Sequence, residues 1–519
     1  HRDGAGYPEW IGELDMEIHR GTLTTQGAVK AGNRRCEEAL RIAEIAMASE
    51  GEKPGDRAGM AMAWRLTLLN QFHDILPGSS IGWVYEDARR DQGEAESLAL
   101  RIAEAGLARM SGRVAGEWAA FNPTSSAFTG VADGPEGPVW VEGVPALGVA
   151  SVRGTPTDSA RASHAGSVYE VANGKVRAKI DGQTGRLLSL EGAGGEVLAG
   201  GGAGGAGPVM YEDRPIMWDA WDVDYYYPEK PLGSGVVRSV KVVESGPLVA
   251  AVEVRRSLQG GDEMVERYEV RAGSARLDVR VRVCWSARHV LLRYEASSRL
   301  GLTARCEHAV HLGHQSRPTT RNTSHERARF EFPAQGWVDV SQRGLGLAML
   351  SDCKFGFSAW SEGTTHRIGV SLLRGPTFPD PAADIGAHEM TVSLMPHGGD
   401  WRAAGVREES ESLRSPVRVR RGGGGSSGEW SAVGLGGSAR VTVTALKPAE
   451  RGGGVVLRMH EARGEHGTVE IRWNVPAGSV VATDGLERPL AVAHPGLTHA
   501  GGVTRVALRP FEIVTLLAR

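Results

Sequence analysis

Leu69–Ser80 reads LNQFHDILPGSS. The stretch is largely apolar around a His–Asp pair, His73 and Asp74, and then meets Pro77-Gly78. Proline cannot continue a helix and glycine accepts the left-handed conformation that closes one, so the spacing predicts a helix stop here. Upstream, Met60, Trp64, Leu68 and Phe72 recur at i, i+4, i+8 and i+12, which predicts one apolar stripe facing neighbours. Thr24 or Thr25 is a fair N-cap for an earlier helix reaching about Ser49, broken by Gly51–Asp56. Ser79 or Ser80 can cap a third helix running towards Met110. Three helices joined by short turns predict an antiparallel bundle over residues 24–113.

From Trp118 onward the period changes to two. Leu277, Val279, Val281 and Val283 alternate with Asp278, Arg280 and Arg282, the pattern of a strand with one buried and one wet face. Val176, Ala178 and Ile180 alternate likewise and run into the turn Asp181-Gly182. Similar strands continue to Val514–Leu517. Strands without intervening helices predict β-sandwiches rather than βα units. The expected fold is multidomain: a three-helix bundle, then mostly antiparallel β-sandwich domains. The expected segments are a small β region at 114–165, a large sandwich at 166–421 and a C-terminal β domain at 429–519. Gly192–Gly207 reads as a loop within a domain, and Gly422–Gly428 (GGGGSSG) as a flexible linker between domains.

Composition narrows the function. The 519 residues carry a formal charge of −3, so there is no electrostatic case for nucleic acid. No apolar run approaches the roughly 18 residues of a membrane span. The four cysteines are Cys36, Cys284, Cys306 and Cys353. None forms a C-x-x-C pair, and four are too sparse for a disulfide scaffold. They read as structural thiols in a reducing, cytoplasmic setting. Neither the P-loop nor H-E-x-x-H occurs. The chain opens on His1, and His1–Trp10 is neither a basic n-region nor an apolar h-region, so no secretory signal is visible. The expectation is a processed chain or a piece of a longer one.

Several residues have side chains suited to chemistry. His73 and Asp74 combine a metal or proton ligand with a carboxylate, although a His at a helix end is also favoured by the macrodipole alone. Trp218, Asp219, Trp221 and Asp222 combine ring faces with carboxylates. A sugar site needs both, since indoles pack on the C–H face of a pyranose while carboxylates accept from hydroxyls; the alternative is a buried Trp pair with capping acids. Glu13, Glu17, His19 and Arg20 either edge an active site or pair between domains. Arg321 and Asn322 read as a structural turn. Arg374, Asp380 and Asp384 flank two prolines in a loop that could reach a sugar cleft. His388 and His397 have no ligand partners at metal spacing and read as ordinary polar residues.

The segment LNQFHDILPGSSI followed by VYEDA resembles the middle-domain signature of glycoside hydrolase family 38 α-mannosidases. GELDMEIHRGTLTTQ (Gly12 to Gln26), YEDRPIMWDAWDVD (Tyr211 to Asp224), RPTTRNTSHERARFEFPAQGWVDVS (Arg317 to Ser341), LSDCKFGF (Leu350 to Phe357), SLLRGPTFPDPAAD (Ser371 to Asp384), MPHGGDWR (Met395 to Arg402) and PFEIVTLLA (Pro510 to Ala518) are similar to family blocks in the same order. They look most like the cytosolic and vacuolar branch. The resemblance implies a catalytic α/β barrel ahead of the bundle and the sandwiches, and a retaining, zinc-assisted hydrolysis of α-mannosides. It implies one Zn2+, with His73 as a ligand and Asp74 on a sugar hydroxyl. It implies that residues 1–23 are the edge of the barrel, and that the remaining zinc ligands, the nucleophile and the acid/base belong to a barrel absent from this sequence. The expected partners are an α-mannoside oligosaccharide and that barrel, with no nucleic acid and no membrane, and homo-oligomerisation stays open. The chain alone is then expected to be inactive. The competing reading is a non-catalytic carbohydrate-binding or scaffold protein built from β-sandwiches.

Overall fold

The computed structural model describes residues 18–198, 204–301 and 305–519. Helices α1 (Gly27–Glu50), α2 (Asp56–Leu69) and α3 (Gly82–Gly112) form the predicted bundle, running up, down and up. In α3, Ala95, Ala99 and Ala103 are buried at i, i+4 and i+8, which lets α1 approach closely. A Cβ on Gly106 would lie 2.6 Å from that of Ala46. The bundle core is continuous with that of the C-terminal sandwich, through Leu40 and Ile45 on one side and Val443 and Leu457 on the other.

The helix ends differ from the sequence expectation. The N-cap of α1 is Gln26 in a left-handed conformation (φ 59°), not Thr24 or Thr25. The N-cap of α3 is Ile81, and neither Ser79 nor Ser80 caps it. Helix α2 stops at Leu69, where Asn70 folds back on the Leu66 carbonyl through its backbone and side-chain nitrogens (3.1 and 2.8 Å). Residues 70–78 are turns, so His73 and Asp74 sit beyond the helix rather than at its end. The apolar stripe is buried only in its first half. Met60 is buried and Trp64 half-buried, but Leu68 and Phe72 are 56 and 58 % exposed.

The β region is antiparallel in every strand pairing among the described residues, apart from one isolated parallel bridge between Val114 and Ser427. Two large sheets face each other over the main core. In one, Leu277–Trp285 lies between Glu263–Arg271 and Gly386–His397; in the other, Val290–Ser298 lies between Gly205–Glu212 and Thr365–Leu373. Leu277, Val279, Val281 and Val283 are buried while Arg280 and Arg282 are exposed. Asp278, expected on the wet face, is buried because Arg276 pairs with it at 2.8 Å. The C-terminal sandwich packs two four-stranded sheets between Val433 and Ala518.

The glycine run at 422–428 is not a flexible linker. Arg418–Arg421 and Glu429–Ser431 on either side of it join one four-stranded sheet with Trp118–Asn122 and Gly148–Ser151. Gly422 N–H donates to Glu117 O (2.7 Å) and Ala115 N–H to Ser427 O (2.8 Å). A Cβ on Gly423 would strike Gly112, and one on Gly425 the Arg113 carbonyl. The glycines are there for close backbone approach. The same sheet joins residues assigned by sequence to the small β region and to the large sandwich. Of the other glycine stretch, the part around Gly192–Gly195 forms a hairpin within the large domain.

All four cysteines are free, and three are buried. Among the described residues, no helix is long and apolar enough to cross a membrane.

Candidate sugar-binding site

Four segments distant in sequence meet at the N-terminus of α1. The residue that joins them is Thr25. Its hydroxyl donates within reach of Gly21 O (2.9 Å) and Ala220 O (2.8 Å), and accepts from Arg374 Nη1 (3.1 Å). Arg374 also reaches Ala220 O (3.2 Å) and pairs with the buried Asp213 through Nε and Nη2, both at 2.7 Å from Oδ2. Burial pushes the Asp213 carboxyl up, against the pull of Arg374. Asp384, expected in a loop reaching the sugar, is instead buried. Its carboxylate accepts from Gln26 N–H (3.0 Å) and Gly27 N–H (2.7 Å), placing an anion at the positive end of α1. Asp380, also buried, accepts from the Gln26 side-chain amide (2.7 Å). Arg374, Asp380 and Asp384 thus build the floor of the candidate site.

The residues that face outward lie on two turns. In the first, His73 and Asp74 are exposed, with side chains 75 and 49 % accessible, and His73 Nε2 is 3.4 Å from Asp74 Oδ2. Ser79 Oγ donates to Asp74 Oδ1 (2.8 Å), and Ser80 Oγ to Asp74 O (2.8 Å). The buried Tyr85 hydroxyl accepts from Ser80 N–H (2.6 Å). The second turn holds Trp218 and Trp221, whose ring centroids are 5.7 Å apart at 75°. Phe378 continues this aromatic ledge at 6.4 Å from Trp221. Trp218 is 49 % and Phe378 58 % exposed, and Trp221 is half-buried, so the pair is not a core pair.

The two carboxylates of the second turn are engaged differently. Asp219 accepts from Thr377 N–H (2.6 Å) and lies 3.7 Å from His289, which clamps the 374–384 loop to the turn. Asp222 accepts only its neighbour's Val223 N–H (2.9 Å), and partial burial raises its carboxyl pKa. Asp222 thus keeps acceptor capacity, whereas Asp219 has one oxygen held by Thr377 and the other enclosed beside His289.

Other expected residues fall elsewhere. Glu13 and Glu17 lie outside the described residues, and His19 is exposed. Arg20 is buried and donates to Glu331 O (2.8 Å) and Ala328 O (3.2 Å), a tie between the N-terminal arm and the sandwich. Asn322 N–H donates to Glu326 Oε2 (2.6 Å) in the capping box of a short helix, and Arg321 stacks over Trp360. His388 Nε2 is 2.9 Å from Asp384 O, and His397 Nε2 is 2.7 Å from Asp339 Oδ1, both in buried settings.

A catalytic zinc takes about three protein ligands. His73 and Asp74 offer two adjacent donors, and among the described residues no three His, Cys, Asp or Glu side chains are grouped to hold an ion. The donor set present does not by itself hold zinc.

Sequence reading took Thr25 only as a helix cap and did not single out Gln26, Lys30, Asp213 or Phe378. Only Lys30 left a signal, as a lysine amid small apolar residues early in α1.

Comparison with known proteins adds to this geometry. Residues 17–110 match the profile described as Alpha mannosidase middle domain. Residues 171–382 match the Glycosyl hydrolases family 38 C-terminal domain, and 440–516 that family's C-terminal beta sandwich domain. Alpha-mannosidase 2C1 of Homo sapiens is 31 % identical over 98 % of the chain and 50 % of its own length. Alpha-mannosidase G of Dictyostelium discoideum is 28 % identical, over 98 % of the chain and 52 % of its own length. The chain spans about half the length of the curated relatives it matches. An alpha-mannosidase from Enterococcus faecalis V583 superposes with a TM-score of 0.77 at 14 % identity, covering 96 % of this chain and 68 % of that one, which shows a shared fold.

Proposed function

Because the chain belongs to glycoside hydrolase family 38, we propose that it forms the helical and β-sandwich part of an α-mannosidase. Its role is to present His73, Asp74 and the Trp218–Asp222 turn to a terminal α-mannosyl residue. What supports this reading is that the turn with the exposed His–Asp pair and the turn with the exposed aromatic ledge both meet Thr25, the first through Gly78 and the second through Ala220. A pyranose needs both kinds of surface: ring faces for its C–H groups and carboxylates for its hydroxyls. Trp218 and Trp221 orient the sugar ring, Asp74 and Asp222 accept from its hydroxyls, and His73 offers an imidazole nitrogen to zinc. Zinc bound there would act as a Lewis acid on sugar hydroxyls. Retaining hydrolysis also needs a nucleophilic carboxylate and an acid/base carboxyl about 5–5.5 Å apart. We assign both, with the missing zinc ligands, to the part of the relatives' length that lies outside this chain. Cytoplasmic location belongs to the same proposal.

The test compares residues 1–519 with a longer natural polypeptide that contains them. The longer form should hold about one zinc and hydrolyse an aryl α-mannoside, and residues 1–519 alone should do neither. His73→Ala in the longer form should lower zinc content and cut turnover by orders of magnitude. Trp221→Ala should weaken mannoside binding and leave zinc in place. Full zinc and full turnover in the His73 variant refute the assignment. Mannoside binding by residues 1–519 with no activity in the longer form supports the non-catalytic carbohydrate-binding reading instead.

A further inference from the structure

Lys30 lies one turn into α1 and is only 3 % exposed. Its ammonium reaches three carbonyls: Thr25 O at 2.5 Å, Leu76 O at 2.8 Å and Pro77 O at 3.3 Å. Two of these belong to the turn that carries His73 and Asp74. The third belongs to Thr25, whose hydroxyl reaches Ala220 O in the Trp218–Asp222 turn. The carbonyls that Lys30 collects therefore come from one turn of the proposed site and from the residue that touches the other. Beside them, Gly78 (φ +93°) comes so close that a Cβ would lie 2.5 Å from Thr25 O. The seat is tight, and one buried cation ties it.

We infer that Lys30 is a positioning residue, whose three hydrogen bonds hold the His73–Asp74 turn in register with the Trp218–Asp222 turn. The inference rests on the reading of those turns as a sugar site, but the tie itself is testable without it. An ammonium has three donors and matches three carbonyls; a neutral amine has two. Leu76 and Pro77 carbonyls have no other donor that draws them to α1 in the described contacts. Burial lowers the Lys30 pKa to about 7, Asp384 opposing this while Lys354 and Arg374 add to it. The third donor is thus lost within the neutral range.

The experiment is amide hydrogen exchange on residues 1–519, wild type against Lys30→Met. Protection of residues 71–82 should fall about tenfold or more in the variant, while the strand Leu277–Trp285 keeps its own. Protection unchanged within twofold overturns the inference. A variant that does not fold leaves the decision to a second measurement, made on His73→Ala so that this imidazole's titration plays no part. After correction for intrinsic rates, protection of 71–82 should fall between pH 6 and 9 while Leu277–Trp285 stays level; a flat profile overturns the inference. In the longer polypeptide, Lys30→Met should lower turnover of an aryl α-mannoside at least tenfold with bound zinc retained. An inactive wild-type polypeptide would sink the mannosidase proposal and leave the exchange result to judge Lys30.

Discussion

Arg374→Met probes the floor on which both turns rest. Arg374 and Asp213 are 0 and 2 % exposed, and two guanidinium nitrogens lie 2.7 Å from the same carboxylate oxygen. Removing the guanidinium leaves Asp213 as a buried charge without its partner, which costs about 3–5 kcal/mol. The bonds to Thr25 Oγ1 and Ala220 O are lost in the same step. With a urea dependence near 3 kcal/mol per molar, the midpoint should fall by about 1–2 M. Intrinsic Trp fluorescence is a suitable probe, because Trp218 and Trp221 sit on the segment that Arg374 holds. Asp213→Leu alone should cost a similar amount, since it strands the cation. The double variant should recover much of the loss, because two apolar groups of similar volume replace both charges. A cost below about 1 kcal/mol for Arg374→Met, or a double variant as unstable as the sum of the singles, would refute the reasoning.

Gly425→Ala places a methyl on the Arg113 carbonyl and should cost about 1–3 kcal/mol in denaturant titration; a linker glycine would tolerate it freely. His73→Ala should leave the melting temperature of residues 1–519 within the spread of surface substitutions, about 0.5 kcal/mol, since the ring is largely exposed; a large drop would mean a structural role. His308 is 1 % exposed, and burial holds its pKa down at about 4. The unfolded chain binds that proton near pH 6.5 and the folded chain only near 4. Stability should therefore fall as pH drops through that window, by roughly 3 kcal/mol over its full width. Urea titrations of His308→Leu at pH 4.5 and 7.5 should show a smaller acid loss than wild type, and an equal loss would refute the attribution.

The alternation along Leu277–Val283 was legible because it follows from a local rule: strand side chains alternate faces. The stop read at Pro77-Gly78 misplaced the end of α2, which falls at Leu69, where Asn70 folds back on the Leu66 carbonyl. The block matches identified the family for a related reason: each is a short stretch recognisable without its neighbours. Sequence alone therefore determined the bundle, the antiparallel β architecture and the segments that carry His73 and the Trp–Asp turn. Helix ends and buried charges depend on partners far along the chain. The N-terminus of α1 takes its anion from Asp384, 357 residues away, so Thr24 and Thr25 are free for other duties. Asp278 lies on a strand face that reads as wet, and Arg276 and Ser393 make its burial tolerable. The glycines at 422–428 read as flexible because nothing local shows that Gly112 and Arg113 press against them. Lys30 belongs to no motif, and the blocks that contain Arg374 and Asp213 do not reveal that the two pair. A buried ion pair is set by which backbones meet in space, and only the tertiary structure decided that these charges lie beneath the two turns.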